Sequence, residues 1–167
     1  MAIFEANEIF QFAVRIEENG EKFYRHAATI TEDEEERYLF NYLADEEVKH
    51  KEIFKNLLSG MDLTSRMEIK DPPETYPGEY MQYLRNYLDG QIIFDKKTET
   101  EFSHITDTLS AVTFAIDREV DSVLYYSEIK KLVPQREHKW IDKIIDEERK
   151  HFLKLSELKK ELEAAEE

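Results

Sequence analysis

The hexapeptide DEEVKH, Asp45 to His50, returns almost unchanged as DEERKH, Asp146 to His151. Each copy sets a glutamate three residues before a histidine, Glu47 before His50 and Glu148 before His151. On a helix that interval places a carboxylate and an imidazole on one face, one turn apart. Those two groups are good ligands for a divalent transition metal. One such pair means little in a chain with 38 acidic residues. Glu101-x-x-His104, which has no matching partner, is accordingly not expected to bind metal. Two copies in matching surroundings are a stronger signal.

The surroundings do match. AVRIEENGEKFY (Ala13 to Tyr24) pairs with AIDREVDSVLYY (Ala115 to Tyr126), each lying upstream of its hexapeptide. Both halves read Ala-x-x-x-Glu, then an aromatic-Tyr pair, then Glu-x-x-His, which is the mark of an internally duplicated helical hairpin.

Steps of three and four residues decide which acids point inward. Phe40, Leu43, Glu47, His50, Phe54 and Leu57 form one seam, and Ile141, Ile144, Glu148, His151, Leu155 and Leu158 form its counterpart. The first helix contributes Phe10, Ala13, Glu17, Gly20, Tyr24 and Ala27, and the third Val112, Ala115, Glu119, Ser122, Tyr126 and Ile129. Glu17 and Glu119 are each followed one turn later by a small residue that leaves room beside the carboxylate. Glu46 and Glu147 fall off the seams and are expected in solvent. Glu18 has no acidic counterpart. His26 and His138 read as surface residues, and Asn19 and Asp121 are not placed by the pattern. Tyr24 and Tyr126 lie on the face of the inward glutamates, either as hydroxyls bonded to a ligand carboxylate or as ordinary core tyrosines.

The elements that hold these seams are four helices, expected over about 3–28, 31–59, 108–132 and 134–162. Thr31-x-x-Glu34 reads as a capping box and Ser59-Gly60 as a stop signal, while Pro134 suits a first helical position. The closing AAEE is expected to fray. Tight turns join helices one and two, and three and four, so each pair is antiparallel. The crossover, 60–107, carries the breaker cluster DPPETYPG and then EYMQYLRNYLDGQIIF, which reads as a short extra helix. Its stripe of Tyr80, Tyr83, Leu84 and Tyr87 is read as packing. The run TEDEEER is a helix start favoured by the macrodipole. The expected architecture is all-α, a single four-helix-bundle domain over 1–167.

Bulk composition narrows the function. The 167 residues carry a formal charge of −15, which disfavours nucleic-acid and anionic-membrane partners and attracts cations. No cysteine is present, so disulfides, thiolate zinc sites, cysteine nucleophiles and iron–sulfur clusters are excluded. No apolar run reaches membrane-spanning length, and the first residues carry acids where a secretory signal needs basic and apolar regions. The cytoplasm is the expected compartment.

Four inward carboxylates would repel one another in a dry core, and protonation is a poor remedy at neutral pH. Two divalent cations balance four negative charges. Oxygen and imidazole donors without thiolate suit iron or manganese, with zinc also compatible.

The segments AVRIEENGEKFY, LADEEVKH, FAIDREVDSVLYY and IIDEERKH resemble the rubrerythrin-like branch of the ferritin-like superfamily over nearly the whole chain. The resemblance implies a ferritin-like bundle in which Glu17, Glu47, His50, Glu119, Glu148 and His151 bind two iron ions. Glu47 and Glu148 would bridge, each histidine would serve one ion, and Glu17 and Glu119 would complete the ends. It also implies a peroxide- or dioxygen-reducing oxidoreductase that protects an anaerobic or microaerophilic cytoplasm. A homodimer is expected. Two departures stand out. The rubredoxin module common in this family needs cysteines, so a separate donor protein such as a rubredoxin must supply electrons. A further family acid one turn before the third-helix ligand is replaced by Ile116, which bears on peroxidase turnover. The alternatives are a ferritin-type role in iron oxidation or buffering, and a metal-stabilised bundle that serves as a partner-binding module.

Overall fold

The computed structural model describes residues 6–60, 102–131 and 133–165, with side chains from Phe10 onward. The proposed crossover helix, the tyrosine stripe and Glu101 lie outside the described residues. The described residues form four long helices: α1 (Ala6–Ile30), α2 (Glu34–Ser59), α3 (Thr108–Lys130) and α4 (His138–Ala165). They form the expected four-helix bundle, and no strand occurs among the described residues.

Capping chemistry sets the boundaries and corrects two expectations. Thr31 does not begin α2. Its hydroxyl donates to the Ala27 carbonyl at 2.8 Å, which ties off the end of α1. Asp33 takes the cap instead, accepting from the N–H groups of Glu35 at 2.8 Å and Glu36 at 3.0 Å. Glu34, Glu35 and Glu36 then sit in the first turn, where the helix dipole favours negative charge. Asp107 caps α3 in the same manner through Ser110. Pro134 is extended (φ −56°, ψ 142°) and precedes a short 3-10 turn, Gln135–Glu137, so α4 starts only at His138. At its other end α4 continues through Ala165, because Glu, Leu and Ala are strong helix formers.

Each hairpin packs closely within itself, α1 on α2 and α3 on α4, and contacts between the hairpins are sparser. The apolar interior is divided. One cluster joins Phe10, Phe54, Tyr125, Tyr126, Ile129, Ile141 and Ile144. The other joins Phe23, Tyr24, Phe40, Leu43, Val112, Ala115, Leu155 and Leu158. The inward acids and histidines lie at neighbouring seam positions between the two.

No described helix is long and apolar enough to cross a membrane.

Candidate metal centre

Six polar side chains occupy the middle of the seams, and none is more than 5% exposed: Glu17, Glu47, His50, Glu119, Glu148 and His151. Bulk solvent is therefore almost wholly excluded from them. Their ligand atoms fall into two overlapping groups, each with all members within 4.8 Å of one another. Glu17, Glu47, His50 and Glu148 form the first, and Glu47, Glu119, Glu148 and His151 the second. Glu47 and Glu148 belong to both.

The carboxylate of Glu148 lies between the two imidazoles. Its Oε1 is 3.1 Å from His50 Nδ1, and its Oε2 is 3.0 Å from His151 Nδ1. The outer acids complete the array, with Glu17 Oε2 3.5 Å from His50 Nδ1 and Glu119 Oε1 3.6 Å from His151 Nδ1. The two rings stack with centroids 5.8 Å apart. Gly20 makes room for Glu47: a Cβ there would stand 2.6 Å from Glu47 Oε2. The small residue one turn after Glu17 thus makes room for the α2 carboxylate rather than, as expected, for Glu17 itself.

The tyrosines cross between the hairpins. Tyr24 on α1 donates to Glu119 on α3, and Tyr126 on α3 donates to Glu17 on α1. Both hydroxyls thus take the carboxylate-bonded role rather than the generic core role. Burial, followed by the charge of Glu119 for Tyr24 and of Glu17 for Tyr126, raises both phenol pKa values well above the ordinary value.

Without cations, protons carry the charge balance. Burial, reinforced by Glu17 and Glu148, pushes the Glu47 carboxyl far above its usual range. Burial and Glu148 push Glu119 up to about 8 against the opposing pull of His151. Burial works against ionisation of Glu148 too, but His50 and His151 outweigh it and hold that carboxyl below its usual range. The same contacts reverse the effect of burial on the imidazoles. His50 is pushed up to about 12 by Glu148 and Glu17, and His151 to about 9 by Glu119 and Glu148.

The donors fit a pair of cations. Two ions can share Glu47 and Glu148 while each keeps one imidazole and one outer carboxylate. Glu17 Oε2 is sealed from water and has no hydrogen-bond partner, which leaves a lone pair for a metal.

Several residues outside the six depart from expectation. Glu46 is buried and Glu147 only part-exposed, where both were expected in solvent. Glu46 is buried with the Lys49 ammonium on its carboxylate, and Glu147 accepts from His50 Nε2 at 2.9 Å. A seam of threes and fours counts only the stripe facing the bundle axis and misses the flank facing the neighbouring helix. Glu46, His50 and Glu147 also form a third close group, which the sequence pattern did not suggest. His26 and His138 are half-buried rather than surface groups, donating through Nε2 to the carbonyls of Ile105 at 3.0 Å and Val133 at 3.1 Å. His104 is exposed and belongs to no metal-capable group. Ile116 packs against the second apolar cluster and adds no donor. Asn19 lines a small cavity beside Glu47, and Asp121 pairs with Arg118 at 3.3 Å.

A sequence model of the rubrerythrin family matches residues 8–159. The chain belongs to the rubrerythrin family. Among solved structures, this rubrerythrin-family chain is similar to a Thermotoga maritima crystal structure assigned as a ferritin-like diiron-carboxylate protein. The two share 29% identity over 96% of this chain and 98% of that one, with a TM-score of 0.69. No curated protein matches significantly. The family match and the buried cluster together make this a di-metal carboxylate protein.

Proposed function

We propose that the chain binds two iron ions at this centre and acts as an oxidoreductase that reduces peroxide or dioxygen. The observation that carries the reading is the pair of overlapping four-residue groups sharing Glu47 and Glu148. The diiron-carboxylate assignment of the similar Thermotoga maritima protein supports iron, as does a donor set of oxygen and imidazole. A pair of ferrous ions supplies two electrons to an oxidant together.

The protein's part is positioning and shielding. Glu148 presents one oxygen to each half of the site, and Glu47 serves both halves from the opposite hairpin. Glu17 and Glu119 close the ends, each aimed by a tyrosine from the other hairpin. These hydroxyls fix the outer carboxylates in the way that outer-shell partners generally hold metal ligands. Burial strengthens every charge interaction inside the site. Manganese or zinc satisfies the same donors, but zinc would leave the centre without electrons to give. The electrons return from a separate donor protein of rubredoxin type.

The test is anaerobic loading with two equivalents of Fe(II), followed by a pulse of hydrogen peroxide or of dioxygen while the visible spectrum is recorded. Rapid oxidation of two Fe(II) per peroxide, faster than by dioxygen, supports the reading. Oxidation by dioxygen that is equally fast or faster transfers it to the iron-oxidising, ferritin-type role.

A further inference from the structure

Two features make the halves of the centre unequal. The first lies behind the histidines. His50 turns Nδ1 towards Glu148 and Glu17, and its far nitrogen, Nε2, donates to Glu147 at 2.9 Å. The repeat would give His151 the equivalent brace from Glu46. Glu46 instead pairs with Lys49, and Nε2 of His151 has no hydrogen bond among the described residues. A carboxylate on the far nitrogen fixes the tautomer and makes the imidazole a better donor.

The second is a cavity of about 60 Å³ between α1 and α3. Its walls include Ile16, Gly20, Phe23, Phe114 and Ser122, and it reaches the carboxylates of Glu47 and Glu119. Glu17, His50, Glu148 and His151 do not line it. Glu47 is common to both groups and Glu119 belongs only to the second, so the one terminal ligand that the cavity touches is that of the second group. A closed ligand set holds its metal, whereas a reactive one keeps a side open.

We propose that the two ion positions differ in role. The position made by Glu17, Glu47, His50 and Glu148 fills first and holds tightly. The one made by Glu47, Glu119, Glu148 and His151 fills second and accepts a small exogenous oxygen- or nitrogen-donor ligand from the cavity. The inference rests on the two-ion reading above and adds order, access and ligand size to it. A cavity of this volume takes peroxide-sized molecules and is well below the roughly 150 Å³ that holds benzene.

Cobalt(II) titration of the metal-free protein, followed by visible absorption, tests the order. The expected result is two steps, with the second equivalent bound at least about tenfold more weakly. Glu147→Gln should weaken the first step by about 10–100-fold and leave the second nearly unchanged. Azide tests access, and it should alter the spectrum only once the second equivalent is bound. Ile16→Phe, which fills the cavity from a wall that neither donates to the ions nor makes room for a ligand, should keep both cobalt ions and lose the azide response. Phe114→Trp serves the same purpose should that variant fail to fold. Two equal binding steps, a Glu147→Gln effect confined to the second step, or an azide response at the first equivalent would overturn this proposal while leaving the two-ion reading intact. Failure of the protein to bind any cobalt, iron or manganese would overturn both.

Discussion

Tyr126 on α3 donates its hydroxyl to Glu17 on α1, so a side chain of the second hairpin aims an acid of the first. Tyr24 returns the favour to Glu119. The bonds tie the two repeats to each other at the level of the centre. A tyrosine that served its own helix's glutamate would leave the hairpins free to slide.

Tyr126→Phe removes the donor to a fully buried carboxylate oxygen. The metal-free protein should lose about 1–3 kcal/mol of stability, the cost of leaving such a group unsatisfied. A urea titration reads this directly, and an unchanged midpoint would mean that Glu17 finds another donor. Tyr24→Phe should behave alike through Glu119.

Shared and terminal acids should differ in ion count. Glu148→Ala strips a ligand common to both groups, and the protein should retain fewer than one ion per chain after desalting. Glu119→Ala touches only the second group and should retain about one. Metal analysis distinguishes the two cases, and equal losses would contradict the shared role of Glu148.

The metal-free protein should weaken as pH rises. Glu119 holds its proton up to about 8 in the fold and to about 4.3 in an unfolded chain, so folding is penalised increasingly between those values. His151, raised to about 9, adds stability that is complete below about 6.5 and is lost as pH climbs through 9. His50 acts in the same direction, with its loss extending towards 12. Metal binding needs these protons gone, so affinity should rise over the same range. Melting temperatures recorded from pH 6 to 9 should therefore fall without metal, and the gap to the loaded protein should widen. Parallel curves would argue against ions at these residues.

Gly20→Ala separates folding from metal binding. Alanine improves helix propensity by about 1 kcal/mol, but its Cβ collides with the Glu47 carboxylate. The metal-free variant should be as stable as the parent or slightly more so, while its affinity for cobalt falls at least about tenfold. Thermal melts paired with the cobalt titration check both halves of this expectation.

Much of the centre was legible because a buried acid is conspicuous against an apolar seam. Glu47, His50, Glu148 and His151 interrupt stripes of Phe, Leu and Ile, and the duplication doubled the signal. Glu17 and Glu119 followed by the same logic. Glu147 escaped because it lies one residue off the seam, where only the packing of α2 beside α4 decides whether a side chain meets solvent or a histidine. The start of α2 was displaced for a local reason. Thr31 and Asp33 both suit an N-cap, and the choice between them depends on whether the threonine hydroxyl turns back to Ala27. The partner swap of Tyr24 and Tyr126 depends on the distance between α1 and α3, about which one-dimensional spacing says nothing.

The bundle holds together better along each hairpin than across the pair of them. Ions bound at Glu47 and Glu148 would therefore act as a clasp between the two arms, added to the apolar clusters and the crossed tyrosine bonds that already join them. It follows that a chain starved of metal opens along this midline first, baring Phe23 and Phe114, whose rings meet across it at 4.7 Å. Metal supply would then govern the lifetime of the protein as well as its chemistry.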